Sequence, residues 1–397
     1  IAPRVGFTRQ LDAAGKSLLR AGYGLFYNRT ILGAIEDAVL APKFTSSFVA
    51  VFPNNSVDPG PGRGQVPTDP FLVNGPEVNW ELLNQRFPPG TLQRNTGVVV
   101  FDSPNRKQPF AHQFTLGYAR ELASSLAIHA DYVRIANKQM FLSRNLNPMV
   151  RADTTSTGAI TRVDAFGVLG EKYSQQVWVL ENGGESVYDA INLQLDKRYA
   201  DAWAARVSYS LSYSRGTAAI QDARNTDQFL TDLRLDKRWA PMGVDRRHIL
   251  SISARTEIPK TGGATLAAVV RYMTGAPFTI FDSGIDADQN GELNDPLPAG
   301  TYSGTAPNAM VDVANKGGRN GAYGPDYLQA DVRAGWRLRT AKNTLEFLVD
   351  VYNITNRTNF ENPGADRRLT ESFLVPTALR GGSGFPRQAQ LGVRYTF

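Results

Sequence analysis

From residue 388 to residue 397 the chain sets Ala389, Leu391, Val393, Tyr395 and Phe397 against Gln388, Gln390, Gly392, Arg394 and Thr396. Side chains of a strand point alternately to opposite sides, so this stretch predicts a ribbon with one apolar and one polar surface. The pattern recurs upstream. Leu19, Ala21, Tyr23, Leu25 and Tyr27 alternate with Arg20, Gly22, Gly24 and Asn28. Trp203, Ala205, Val207, Tyr209, Leu211 and Tyr213 oppose Arg206, Ser208, Ser210, Ser212 and Ser214. Leu328, Ala330, Val332, Ala334, Trp336 and Leu338 oppose Gln329, Asp331, Arg333, Gly335 and Arg337. A soluble sandwich also alternates, but its polar side faces bulk water and is usually charged. Here that side is mostly Ser, Gln and Asn.

The connections alternate as strictly as the side chains. Short turns at 12–17, 121–125, 200–202, 259–263 and 340–343 are interleaved with long segments at 28–107, 139–186, 216–245, 274–325 and 356–386. Tight turns at one end and long loops at the other are the plan of a membrane barrel. The expected fold is therefore all-β: an antiparallel transmembrane β-barrel segment of about eleven strands, with long extracellular loops and short periplasmic turns. The terminal strand ends on the short-turn side. Trp203, Trp336, Tyr199, Tyr118 and Tyr395 are then expected to form an aromatic girdle at that rim.

Composition is consistent with this reading. Hydrophobic residues make up 42% and mean hydropathy is -0.30. No run approaches the roughly 20 apolar residues of a membrane helix. A barrel needs none, because alternation disperses its apolar residues. The chain has no Cys, which excludes disulfides and thiolate chemistry. The net charge of +6 is not gathered into any Lys/Arg run longer than a pair, so nucleic acid is not an expected partner. The chain opens at Ile1 already inside the strand pattern, and residues 1–397 are read as one barrel domain, the C-terminal part of a larger one.

Few residues suggest chemistry. Asp286, Asp288 and Asn290, followed by Gly291, place oxygen ligands at alternate positions before a turn, as in the front of a calcium loop. Leu297 stands where a closing Glu belongs, so Asn294 or Asp295 would complete the shell, and calcium is the one cofactor considered. Arg206, Arg333, Arg337, Asp331 and Arg394 are expected to face the lumen, where arginines would pair with Asp131, Asp196, Asp331 and Asp350 or attract anions. His112, His129 and His248 are far apart and are read as neutral or lumen-facing. No Gly-x-Ser-x-Gly surrounds the serines, and no catalytic residue is nominated.

Several segments together resemble a known family. They are Pro3-Arg-Val-Gly-Phe, the stretch from Leu19 to Tyr27, Asp245-Arg-Arg-His, Thr274-Gly-Ala-Pro-Phe-Thr, the stretch from Val351 to Phe360, and the terminal strand ending on Phe397. The chain looks like the C-terminal half of the barrel of TonB-dependent outer-membrane receptors of the Oar-like, carboxypeptidase-regulatory-domain-bearing group. That resemblance implies an N-terminal plug and further strands preceding this sequence, coupling to the TonB complex, contact with outer-membrane lipid, and uptake of a scarce ligand such as an oligosaccharide, a peptide or a metal chelate. The alternatives are a passive porin or adhesin-type barrel and a soluble extracellular carbohydrate-binding β protein.

Overall fold

The computed structural model describes residues 1–28, 81, 99–145, 149–162, 177–217, 239–289, 291, 293, 295–340, 343–380 and 385–397. Most of the first and third long loops therefore lies outside the described residues, as do Asn290 and Asn294. Eleven strands follow one another in an unbroken antiparallel path. They are β1 (Arg4–Gln10), β2 (Ser17–Tyr27), β3 (Phe110–Ala123), β4 (Leu126–Asn145), β5 (Val177–Ala200), β6 (Trp203–Gly216), β7 (His248–Glu257), β8 (Ala264–Met273), β9 (Tyr327–Arg339), β10 (Thr344–Tyr352) and β11 (Gln388–Thr396). Each pairs with its neighbour in sequence, the simplest route for antiparallel strands. Two short strands join at the margins: Ala240–Pro241 on β6, and Val99–Asp102 running parallel to β5.

Register keeps the two faces separate across the whole path. Asp196 lies opposite Arg206, Arg206 opposite Ser253, Ala267 opposite Arg333, Arg333 opposite Asp350, and Glu346 opposite Arg394. Directly opposed residues share a face, so one surface carries the polar set from β5 to β11. The other carries Leu193, Val207, Ile252, Val270, Val332, Val349 and Leu391. This apolar face is not packed inside anything: Trp203 is 43% and Trp336 49% exposed. A soluble protein rarely leaves so broad an apolar surface uncovered.

The tight turns close as their residues require. Gly15, Gly262 and Gly263 adopt positive φ, as do Asp201 and Ala202 between β5 and β6. Consecutive positive φ values give a two-residue turn whose twist matches the strands it joins.

Three sequence expectations need correction. Tyr199 does not lie on the apolar face with Leu195. The ladder pairs Lys197 with Ala205 but Ala200 with Trp203, so one extra residue shifts the register and reverses the facing. Tyr199 instead lies under the Arg255 guanidinium, 5.0 Å from its ring, among polar-face residues. His112 and His248 are on the apolar face rather than the polar one, since they continue the rows of Phe114 and Leu250. Each stacks on a tyrosine of the neighbouring strand, with Tyr23 Oη 2.7 Å from His112 Nδ1 and Tyr209 Oη 2.8 Å from His248 Nδ1. Finally, the second long segment is partly ladder. β4 continues to Asn145 and β5 begins at Val177, so the pair outruns its apolar band, and backbone pairing needs no alternation to persist.

Candidate functional site

The hydrophobic core lies in the long loops, not in the wall. Phe278, Ile280, Leu297, Val313, Ala322, Phe373 and Leu374 form one buried cluster, with Ile280 and Leu374 fully inaccessible. These residues come from 274–325 and 356–386, both read from the sequence as long loops. They are knitted by two short ladders, Pro277–Phe278 with Ala322–Tyr323 and Gly300–Tyr302 with Val313–Asn315. Backbone bonds join the two loops: Phe281 N–H donates to Ala365 O, and Arg367 N–H returns to Phe281 O. Arg367 also forks onto Asp282 Oδ2 through Nε and Nη2 at 3.1 and 2.9 Å. The long-loop end is therefore a folded cap with its own core.

The segments of the family resemblance turn out to be the fastenings between wall and cap. Asp245, 1% exposed, accepts from Ser214 N–H, the Tyr323 hydroxyl and Arg247 Nη2, tying β6, β7 and the cap together. Burial and the adjacent Asp245 carboxylate push the Tyr323 hydroxyl up from its ordinary pKa. Burial and the nearby Arg380 hold the Arg246 guanidinium below its own. Gly275 leaves room for the Gly324 carbonyl, which a Cβ would strike, and its N–H donates to Asp326. In the stretch from Val351 to Phe360, Asn353 and Asn356 adopt positive φ. The buried Asn359 amide accepts from Leu328 N–H at 2.9 Å and donates to Leu328 O at 3.0 Å, replacing a strand partner for β9.

A third loop segment reaches in through Arg151, which is 3% exposed. Its Nε donates to Asp286 Oδ2 at 2.9 Å, its Nη2 to Gly291 O and its Nη1 to Gly158 O. The small ladder of Met149–Arg151 with Ile160–Arg162 presents it, and the bonds from Ser156 N–H to Gly284 O and from Asp286 N–H to Thr154 O lock the two loops. Sequence reasoning passed over Arg151 because nothing local marks a residue whose partner lies 135 positions away. The structure brings Asp286, Asp288 and Asp295 together, with one carboxylate oxygen from each within 4.8 Å of the others. Gly291 N–H donates to Asp286 at 2.8 Å, so the chain wraps the innermost carboxylate as a cation loop does. This geometry fits a hard cation, although Arg151 already supplies a positive partner to Asp286.

On the polar face the expected pairs are present. Arg20 meets Asp131 at 3.0 Å, Arg206 meets Asp196 at 2.5 Å, and Arg333 grips both oxygens of Asp350. Arg337 joins Glu346 at 2.7 Å, and Arg394 reaches the same carboxylate at 3.6 Å. Asp331 departs from the pattern. It accepts from Gln329 Nε2 and Asn353 N–H rather than from an arginine, so it anchors the start of the last long loop.

Among solved structures, the chain is similar to the outer membrane transporter YddB from Escherichia coli, at 11% identity and a TM-score of 0.51, over 97% of this chain and 39% of that one. Two others are less similar and carry no weight: the FrpB iron transporter from Neisseria meningitidis (13%, TM-score 0.45, covering 100% and 39%) and the pyoverdine receptor FpvA from Pseudomonas aeruginosa PAO1 (10%, TM-score 0.45, covering 100% and 36%). At such identities the likeness establishes fold alone, and the chain spans about two fifths of the length of these proteins. No curated protein matches. The sequence pattern described as an outer membrane beta barrel domain matches residues 1–390, and on that breadth, with a two-faced wall of eleven ordered strands, the chain belongs to the outer-membrane β-barrel domain family.

Proposed function

We propose that this chain is the C-terminal barrel portion of a TonB-dependent outer-membrane transporter. In this reading the cap at the long-loop end receives a scarce ligand, a plug fills the lumen, and TonB coupling moves the plug to admit cargo. The work is binding and translocation rather than catalysis. The observation that carries the reading is the pairing of a membrane-facing wall with a cap that folds around its own core, since a receptor needs an ordered receiving surface where a simple pore needs only an opening. The Oar-like segments and the likeness to an outer-membrane transporter support it.

The wall has two free edges. β1 and β11 end the strand path, and no pairing joins them among the described residues. Hydrocarbon cannot satisfy the unpaired N–H and C=O groups of an edge, so further strands must cover both.

The test uses the full-length protein in planar bilayers and in whole cells. A plugged, coupled transporter conducts little on its own and accumulates ligand only when the inner membrane is energised. A steady open conductance, with uptake unaffected by loss of TonB, would establish the porin alternative instead.

Calcium at Asp286, Asp288 and Asp295 is a separate proposal, favoured by the convergence of one carboxylate oxygen from each to within 4.8 Å of the others and by the turn at Gly291 that wraps Asp286. Calorimetry on the folded protein should show binding at millimolar affinity or better that Asp288→Ala removes. A flat titration of the unsubstituted protein refutes it.

A further inference from the structure

The apolar face changes character toward the long loops. Tyr213 stands ten residues along β6 from Trp203 at the short-turn rim. At about 3.3 Å per residue and a tilt of about 40°, that separation is roughly 25 Å, the height of a barrel's apolar band. At this level charged side chains enter the same face. Arg134 lies opposite Asp189, and Asp189 opposite Tyr213, in the row of Phe114. Arg134 Nη1 donates to both oxygens of Asp189, at 2.9 and 3.1 Å, and the Tyr132 hydroxyl donates to that carboxylate at 2.6 Å. One row further, Ala136 lies opposite Val187, and Val187 opposite Arg215. Lys138 stands just beyond Ala136 and pairs with Glu185 at 2.5 Å.

The charges in this patch do not balance. Asp189 answers Arg134, and Glu185 answers Lys138. Arg247, whose guanidinium lies 3.6 Å from the centre of the Tyr213 ring, pairs with the buried Asp245 at 3.3 Å. Arg215 is exposed and meets no carboxylate among the described residues. An arginine at the edge of the hydrocarbon extends its head toward the headgroups, where the anions are phosphates. Two conditions define the occupant. Its head must be negative, and its body must lie on the apolar wall below, where Ile191 and Leu193 are exposed. An amphiphile meets both, and the guanidinium fork suits a phosphate. An amphipathic ring such as Tyr213 belongs at that boundary. We propose that Arg215 seats the phosphate of an anionic lipid headgroup in the leaflet at the long-loop end, with Tyr213 beneath it and Lys138 across β5. The inference rests on the apolar face meeting lipid and is independent of transport.

The test is native mass spectrometry of the protein released from detergent micelles, with phosphatidic acid compared against phosphatidylcholine of the same acyl chains. Phosphatidic acid should be retained several-fold more. Arg215→Gln should reduce that retention roughly tenfold, the scale of a lost charge-assisted hydrogen bond. Arg20→Gln removes the same charge from the polar face and should leave retention unchanged. The heat-dependent gel mobility of a folded barrel reports whether each variant is intact. Equal retention of the two lipids, retention unchanged in intact Arg215→Gln, or an equal loss in Arg20→Gln overturns the proposal. Inorganic phosphate displacing the lipid at matched concentration also overturns it, because the site would then take the free anion. A wall that inserts in lipid yet shows no preference removes this inference alone. A wall that does not insert removes the lipid-facing reading as well.

Discussion

At the scale of single residues, the polar face depends on small side chains that let large ones cross. Gly117 lies opposite Asp131, and a Cβ there would run into the Asp131 carboxylate with the Arg20 guanidinium just beyond it. Gly117→Ala should therefore push the Asp131 carboxylate aside and loosen the Arg20–Asp131 bridge, at a cost of up to about 1 kcal/mol for so exposed a pair, read as a slightly lowered unfolding midpoint in denaturant. An unchanged midpoint would mean that the bridge moves aside freely. Asp366 gives a pH test in the cap. Burial alone would raise its carboxyl, but the Ser283 hydroxyl, the Ser283 and Arg368 N–H groups and the Arg368 charge together hold it below the usual carboxylate range. A lowered folded value means the stabilisation is full above the unfolded value near about 4 and is lost as pH falls through the folded one. Amide exchange around Ser283 and Arg368 should accelerate below about pH 4, and Asp366→Asn should remove that dependence. Legibility at this scale was uneven. Arg206, Arg333 and Arg394 could be placed because alternation fixes a side. Tyr199 could not, because the bulge that turns it sits in the ladder and leaves no trace in residue types.

At the scale of elements, each strand is a sentence in two voices, and parity decides which one membrane lipid hears. Val207 and Ser208 are neighbours on β6 facing opposite ways. An arginine at a lipid-facing position near the bilayer centre costs about 2–4 kcal/mol. Val207→Arg should therefore destabilise the folded protein by that amount, while Ser208→Arg should be nearly neutral. Equal effects at the two positions would dissolve the distinction between faces. The cap elements obey different rules. Arg151 and Asp286 are both buried, and removing one member of a buried pair costs roughly 3–5 kcal/mol because the other keeps its charge without the countercharge. Arg151→Ala should loosen the contact between 149–162 and 284–291, seen as faster proteolysis there, while the wall keeps its gel mobility. The strands were legible in the sequence because period-two alternation is a local signal. The cap was not. Phe278, Leu297, Val313 and Phe373 are scattered over nearly a hundred positions among Gly, Pro and Asn, and only the pairing of distant loops makes them a core.

For the whole molecule, the distribution of burial tells most. A soluble protein collects its apolar residues between layers, whereas here the wall exposes them and the only buried apolar cluster among the described residues lies at one end. Such a body is stable only if a second solvent covers the exposed face, and outer-membrane lipid is that solvent. The absence of Cys makes a direct test simple. Single cysteines at Leu193, Val207, Val270 and Val332 on one face, and at Gln194, Ser208, Arg271 and Arg333 on the other, can carry nitroxide labels in the protein reconstituted in lipid. Collision with oxygen, which concentrates in hydrocarbon, and with a water-soluble nickel chelate then reports what each side chain touches. We predict high oxygen and low nickel accessibility at the first four positions and the reverse at the second four. The same accessibility on both faces, or nickel reaching Val207 and Val332 as readily as Ser208, would contradict the account.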